Sequence, residues 1–312
     1  MSSVKARSAA KPRSGRKPPR LPEARRARLR DTAQSLCFLG PSLLGVLLFF
    51  VLPFGVVVYY SLIRSPMNRE FVFLDNFRAL FQNAAFRMAA KNTALFSALA
   101  VPLAVALALV LALLLEARIP LKSQFRTFFL SPMMVPVASV VLIWQVVFSG
   151  NGVLNEILAG LGATPVDWLK SDAAPLVVVA LFLWKNLGYN MILFMSALAN
   201  IPKELLEAAS VEGAPPLYQF FAIKLRYLSP TVLFVAILSL INSFKVFREI
   251  YLLTGDYPYE ALYALQHFMN STFNSLDYQK LSAAAVLMAL VMIGVIALLF
   301  WVEDRFGRDV EG

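Results

Sequence analysis

Side chains that could bind or react are scarce in this sequence, so their recurrence inside apolar stretches marks where its chemistry lies. Trp184, Lys185, Asn186, Tyr189 and Asn190 fall together in one such stretch. An ammonium near the centre of a membrane helix costs roughly 2.5–3.5 kcal/mol on insertion scales, so Lys185 must face a cavity or a partner. An aromatic face beside amide donors and acceptors suits a polyhydroxylated solute, whose ring faces stack while its hydroxyls take directional hydrogen bonds. Ser239, Asn242 and Ser243 recur at helical spacing in a later apolar stretch and form a second polar stripe. The same residues also suit a polar seam that joins helices, and the pattern leaves both readings open.

Other chemistries have little to work with. Cys37 is the only cysteine and His267 the only histidine, so neither a disulfide framework nor a metal site is expected. The apolar stretches contain no clustered carboxylates, which argues against a membrane-embedded enzyme. No Gly-x-x-x-x-Gly-Lys-Ser/Thr run occurs, so this chain is not expected to hydrolyse ATP itself. Lys245 and Glu249 are spaced i,i+4 and are expected to pair, with Arg248 beside them, as an interfacial anchor rather than a solute contact.

These residues must be held by membrane helices. The chain is 59% hydrophobic with 15% charged residues and a mean hydropathy of +0.66, against about 25% charged in soluble proteins. Crossing roughly 30 Å of hydrocarbon takes about 20 apolar residues, and six segments qualify: Leu36–Ile63, Asn92–Leu115, Thr127–Phe148, Ala173–Ala199, Tyr227–Leu253 and Leu281–Val302. The third contains Pro132 and Pro136; the fourth and fifth carry the charges. The expected fold is an all-α integral membrane domain over residues 36–303 with both termini on one side.

Eleven of the 29 basic residues lie between Lys5 and Arg30. Residues 1–35, rich in Pro, Ser and like charges, are expected to be a disordered cytoplasmic tail attracted to anionic lipid rather than a nucleic-acid arm. The positive-inside rule then places the tail, the segment between spans four and five, and a short C-terminal tail (304–312) in the cytoplasm. The external loops 64–91 and 255–280 are rich in aromatics, including Phe71, Phe73, Phe77, Phe81, Tyr257, Tyr259, Tyr263, Phe268 and Phe273.

Between spans four and five, Glu204 to Phe221 reads ELLEAASVEGAPPLYQFF. Pro202 suits a first turn, Glu204 and Glu207 suit a helix N-terminus, and Gly213 with Pro215 and Pro216 suits a stop. A short surface helix is expected, with Leu205, Ala208 and Ala209 on one face. Periodicity alone does not separate a docking element from a connector.

The run Glu207-Ala208-Ala209-x-x-x-Gly213-Ala214, followed by Ile223-x-Leu225 and Pro230, resembles the EAA loop of ATP-binding cassette (ABC) importer permeases. The segments FLGPSLLGVLLFFVLPFGVVVYYSL, GNGVLNEILAGLG, DWLKSDAAP and SFKVFREIYLLTGDYP are similar to the carbohydrate-uptake branch of that family, which includes the maltose and glycerol-phosphate permeases. Arg226, Arg248 and Asp256-Tyr257 depart from the family pattern. The resemblance implies a plasma-membrane permease with a cytoplasmic coupling helix, drawn from Glu204, Leu205, Glu207, Ala208, Ala209, Gly213 and Ala214. It implies a second permease, two ATPase subunits that bind ATP and magnesium, and an extracytoplasmic solute-binding protein docking on the first aromatic external loop, 64–91, with the role of the second left open. This chain itself would bind no cofactor. Within that reading the solute is a sugar or oligosaccharide, with a glycerol-phosphate-like anion as the alternative. An ion-coupled secondary transporter is a more distant one.

Overall fold

The computed structural model describes residues 35, 37–116 and 120–307; the basic tail, apart from Ser35, lies outside them, as do Arg118 and the chain beyond Gly307. Described residues up to Val56 form one compact unit, and the chain from Val57 onward forms a second that holds every core, cavity and contact discussed below.

Twelve helices frame the site and its surroundings. Helix α1 (Cys37–Ser61) contains a π turn over Leu47–Val51. Pro53 follows it, a residue that lacks an N–H and crowds the carbonyl four residues back, and such positions favour a local i→i+5 turn. Next come α2 (Asp75–Gln82), α3 (Ala84–Glu116), α4 (Lys122–Met134), α5 (Val137–Phe148) and α6 (Val153–Gly160). Then α7 (Ala174–Ala199), α8 (Lys203–Val211), α9 (Ser229–Phe244), α10 (Phe247–Thr254), α11 (Leu265–Asn274) and α12 (Tyr278–Gly307) complete the order. Among the described residues, six helical stretches are long and apolar enough to cross a membrane.

The third span differs from its expected form. Rather than one helix over Thr127–Phe148, the chain breaks at Val135, which is extended (φ −85°, ψ 133°), and resumes as α5 after Pro136. Proline drives its predecessor out of the helical region, and that effect acts here at Pro136, whereas Pro132 stays within α4. The second and sixth spans extend well beyond their apolar windows, from Ala84 and from Tyr278.

Packing centres on α3 against α7. Ala100, Ala104, Ala108 and Ala112 recur every fourth residue on α3 and are fully buried. They meet Val178, Val179 and Phe182 in one cluster and Met191, Phe194 and Leu198 in another. In lipid, where apolar surface gains nothing by leaving its solvent, small residues stabilise a helix pair by letting the backbones approach and pack. A similar approach fixes α4 on α7, because a Cβ added at Gly188 would sit 1.9 Å from the Phe129 carbonyl oxygen.

The connecting segments are held by side-chain amides. Asn155 Nδ2 donates to the carbonyls of Gly150 and Val166, both at 2.8 Å, while its Oδ1 accepts the Val166 N–H and the Trp168 Nε1–H, both at 3.0 Å. Asn76 Nδ2 donates to the carbonyls of Ser61 and Ile63 at 2.9 Å and so anchors the chain leaving α1. The loop aromatics divide in role. Phe77, Tyr263 and Phe268 join Leu80 and Phe86 in a core cluster, whereas Phe71, Phe73, Phe81, Tyr257 and Phe273 stay exposed.

His267 on α11 is 3% exposed, and its Nδ1 accepts the Ala264 N–H at 3.1 Å. The imidazole is therefore neutral with its proton on Nε2, and its ring lies edge-on to Phe247 at 4.6 Å. Burial lowers its pKa to about 4, against a smaller opposing pull from Asp256. Because the unfolded chain binds this proton first, the stability His267 contributes is complete above about pH 6.5 and drains away as pH falls toward 4.

Two expectations follow. Gly188→Ala should lower stability by about 1–3 kcal/mol through overpacking, while Gly160→Ala, whose Cβ meets nothing within 4 Å, should be nearly neutral; equal thermal midpoints for the two in detergent would refute the close approach. Between pH 6.5 and 4 the wild type should lose about 2 kcal/mol after allowance for solvent screening. His267→Gln should flatten that dependence, and an unchanged slope would assign it to other groups.

Candidate functional site

Three polar rungs tie α7 to α9 and α10. Asn190 Nδ2 donates to Ser239 Oγ at 2.9 Å, with both residues buried. Asn242 Nδ2 donates to Asn186 Oδ1 at 3.0 Å, and Lys185 Nζ pairs with Glu249 Oε1. A further hydroxyl pair, Ser97 with Ser243 at 2.9 Å, links α3 to α9. Each rung satisfies groups for which hydrocarbon offers no partner, at crossings where helix backbones are already internally bonded.

The second and third rungs border a cavity of about 490 Å³. Lys185, Asn186 and Tyr189 line it from α7; Asn242, Lys245, Arg248 and Glu249 line it from the other side, with Met133 of α4 and Gln266 of α11. The kink at Lys245–Val246, between α9 and α10, sets these side chains along one wall. Asn186 Nδ2 donates back to the Phe182 carbonyl at 2.8 Å. Its amide is therefore held from both sides and presented in one orientation.

The residues singled out from sequence thus separate into two groups. Lys185, Asn186, Tyr189 and Asn242 share the cavity, whereas Asn190, Ser239 and Ser243 are used up in buried helix-to-helix bonds. Trp184 turns away from it, its ring 6.2 Å from that of Trp144, which in turn stacks on Phe148 at 5.1 Å. The expected Lys245–Glu249 pair does not form. Glu249 is 7% exposed and reaches across to Lys185, 64 residues away, while its Oε2 is buried without a hydrogen-bond partner among the described residues. The sequence reading preferred an interfacial anchor for Lys245, Arg248 and Glu249, with solute contact only for an acidic solute, whereas all three line the cavity. The signal was available for Glu249, since the cost that singled out Lys185 applies equally to a carboxylate in an apolar span.

Helix α8 spans Lys203–Val211, and Pro202 stands at its N-cap rather than in its first turn. Gly213 adopts φ +79°, the left-handed conformation that costs glycine nothing. Its N–H bonds the Ser210 carbonyl at 3.1 Å and the Ala214 N–H bonds that of Ala209 at 2.9 Å, the paired pattern of a Schellman stop. Gln219 Nε2 then donates to Ser210 Oγ at 3.1 Å and to the Ala214 carbonyl at 2.9 Å, tying the following segment back onto the helix end. Leu206 packs on the core beside α7, which leaves Glu204, Leu205, Glu207 and Ala208 outward and Ala209 half-buried. The outward face is therefore more acidic than the expected Leu205–Ala208–Ala209 stripe. Beyond it, Lys224 Nζ pairs with Glu116 Oε2 at 2.7 Å, joining the chain before α9 to the end of α3.

Among the described residues, six helical stretches long enough to cross a membrane, a polar cavity between two of them and a short outward-facing helix in their connection fit a solute permease. Residues 100–312 match the family described as binding-protein-dependent transport system inner membrane component, and the chain belongs to that family. It is similar to the sn-glycerol-3-phosphate transport system permease protein UgpA of Yersinia pseudotuberculosis serotype I (strain IP32953), with 31% identity over 271 residues, 85% of this chain and 92% of the relative. The protein of the same name from Agrobacterium fabrum (strain C58 / ATCC 33970) is 31% identical over 273 residues, 85% of this chain and 93% of its own. A crystal structure of a bacterial ABC transporter involved in the import of the acidic polysaccharide alginate shares the fold, with a TM-score of 0.77 at 22% identity over 89% of this chain and 99% of that one. A second, of an alginate ABC transporter with an alginate pentasaccharide-bound periplasmic protein, aligns at a TM-score of 0.76 and 21% identity, covering 89% and 96%. The chain is a multi-pass permease subunit of an ABC importer in the plasma membrane.

Removing one partner of the part-buried Lys185–Glu249 pair should harm more than removing both. Lys185→Met leaves the Glu249 carboxylate uncompensated and should cost about 3–5 kcal/mol, whereas Lys185→Met with Glu249→Leu should recover most of it. Thermal unfolding of the purified variants measures the cycle, and strictly additive losses would mean the pair is not coupled.

Proposed function

We propose that this subunit passes a sugar or oligosaccharide across the plasma membrane, driven by ATP hydrolysis on separate subunits. It works with a second, similar permease, two cytoplasmic ATPase subunits carrying ATP and magnesium, and an extracytoplasmic solute-binding protein. Both termini and α8 lie in the cytoplasm. The family supports dependence on a binding protein; the amides of Asn186 and Asn242 with the Tyr189 phenol support a hydroxyl-rich solute.

The observation that carries the coupling role is α8 itself. It presents Glu204, Leu205, Glu207 and Ala208 to solvent on a helix closed by Gly213 and braced by Gln219, with Leu206 set in the core. A load applied to that face is transmitted to α7 and α9, the two spans that border the cavity, rather than absorbed by a pliable loop. ATP-driven closure of the ATPase pair would thereby swing the cavity between outward-facing and inward-facing states. No covalent chemistry is required of this chain, since coupling is a difference in how tightly the ATPases hold the two states.

Glu207→Arg, in the complex assembled with its ATPases and second permease in proteoliposomes, should reduce ATPase retention in pull-downs and solute-stimulated ATP turnover at least tenfold. Normal docking and turnover in that variant would demote α8 to a connector.

A further inference from the structure

We propose that the cavity beside the Lys185–Glu249 pair selects an acidic saccharide, with Lys245 and Arg248 receiving its anionic group. The inference rests on the permease reading above and assigns the solute's charge class and the residues that recognise it. Three cations and one carboxylate line this cavity. Lys185 is already neutralised by Glu249, so its charge is spent within the protein. Lys245 and Arg248 are exposed on the cavity wall and have no ion-pair partner among the described residues. The wall therefore carries two uncompensated positive charges facing a partly enclosed space, where a Coulombic attraction is screened less than on an open surface.

The remaining polar groups complement a sugar rather than a bare inorganic anion. Asn186 is fixed by its bonds to Phe182 and Asn242, which leaves the Asn242 Oδ1 free to accept a hydroxyl. The Tyr189 hydroxyl, nearly one turn further along α7, makes no hydrogen bond among the described residues. Arg248 offers a planar fork that matches a carboxylate or phosphate, and Lys245 adds a mobile point charge. Glu249 is held by Lys185 with its other oxygen enclosed. An acidic solute is therefore not repelled by an open carboxylate.

The test uses the full permease–ATPase complex in nanodiscs, without the binding protein, and measures equilibrium binding of radiolabelled tri-galacturonate and of the matching neutral galactose trimer. The acidic trimer should bind at least tenfold more tightly. Its affinity should fall at least tenfold in Lys245→Gln/Arg248→Gln and fall with rising salt, while Arg87→Gln, a cation on another surface, should leave it unchanged. Basal ATPase rate and elution profile report that the variants are assembled. Equal or tighter binding of the neutral trimer, or acidic binding untouched by the double variant, overturns the charge assignment while leaving a sugar permease intact. Failure of both trimers to bind, together with no uptake of either when the binding protein is added, overturns the carbohydrate reading and this inference with it.

Discussion

Hydrocarbon supplies no hydrogen bonds, and the structure is arranged around that constraint at the crossing of α7 with α9 and α10. A polar side chain there must be satisfied by protein or face a water-filled space. Asn190 with Ser239, Asn186 with Asn242, and Lys185 with Glu249 Oε1 meet the condition in sequence along one helix interface, the enclosed Glu249 Oε2 being the exception. The Asn190–Ser239 rung is buried, whereas residues of the other two rungs line the cavity. Structural seam and candidate solute site are thus two ends of one ladder, which is why residue type alone could not tell them apart.

The seam also gives the bundle its mechanical character. The alanines of α3 bring α7 into close contact, Gly188 lets α4 approach α7, and the Lys224–Glu116 pair ties the entrance of α9 to the end of α3. Helix α8 hangs between α7 and α9 and is stiffened by its own capping bonds. In the proposed mechanism the cavity changes shape because these members move as packed bodies. Packed interfaces have discrete alternative arrangements rather than continuous ones, which suits a two-state transporter.

Much of the site was legible in the residues. Lys185 stood out because an ion in an apolar span is costly, and α8 because a proline, an acidic first turn and a glycine stop leave a short helix few alternatives. The third span was misread as continuous because Pro132 and Pro136 look alike in sequence, although only Pro136 has its predecessor in the extended region. Glu249 was assigned to Lys245 because an i,i+4 neighbour is the only partner that spacing can reveal. Its actual partner lies on another helix.

The sequence by itself determined six membrane-spanning stretches, the scarcity of catalytic groups, the short helix between spans four and five, and the family resemblance it carries. Length, composition and local stop signals are sufficient for those, because each depends on residues close in the chain. Only the tertiary structure decided which polar residues are spent on one another and which remain to meet a solute. That division depends on the rotation of α7 against α9 and α10, set by the alanine face of α3 and the missing side chain at Gly188, and no periodicity within a single helix encodes it.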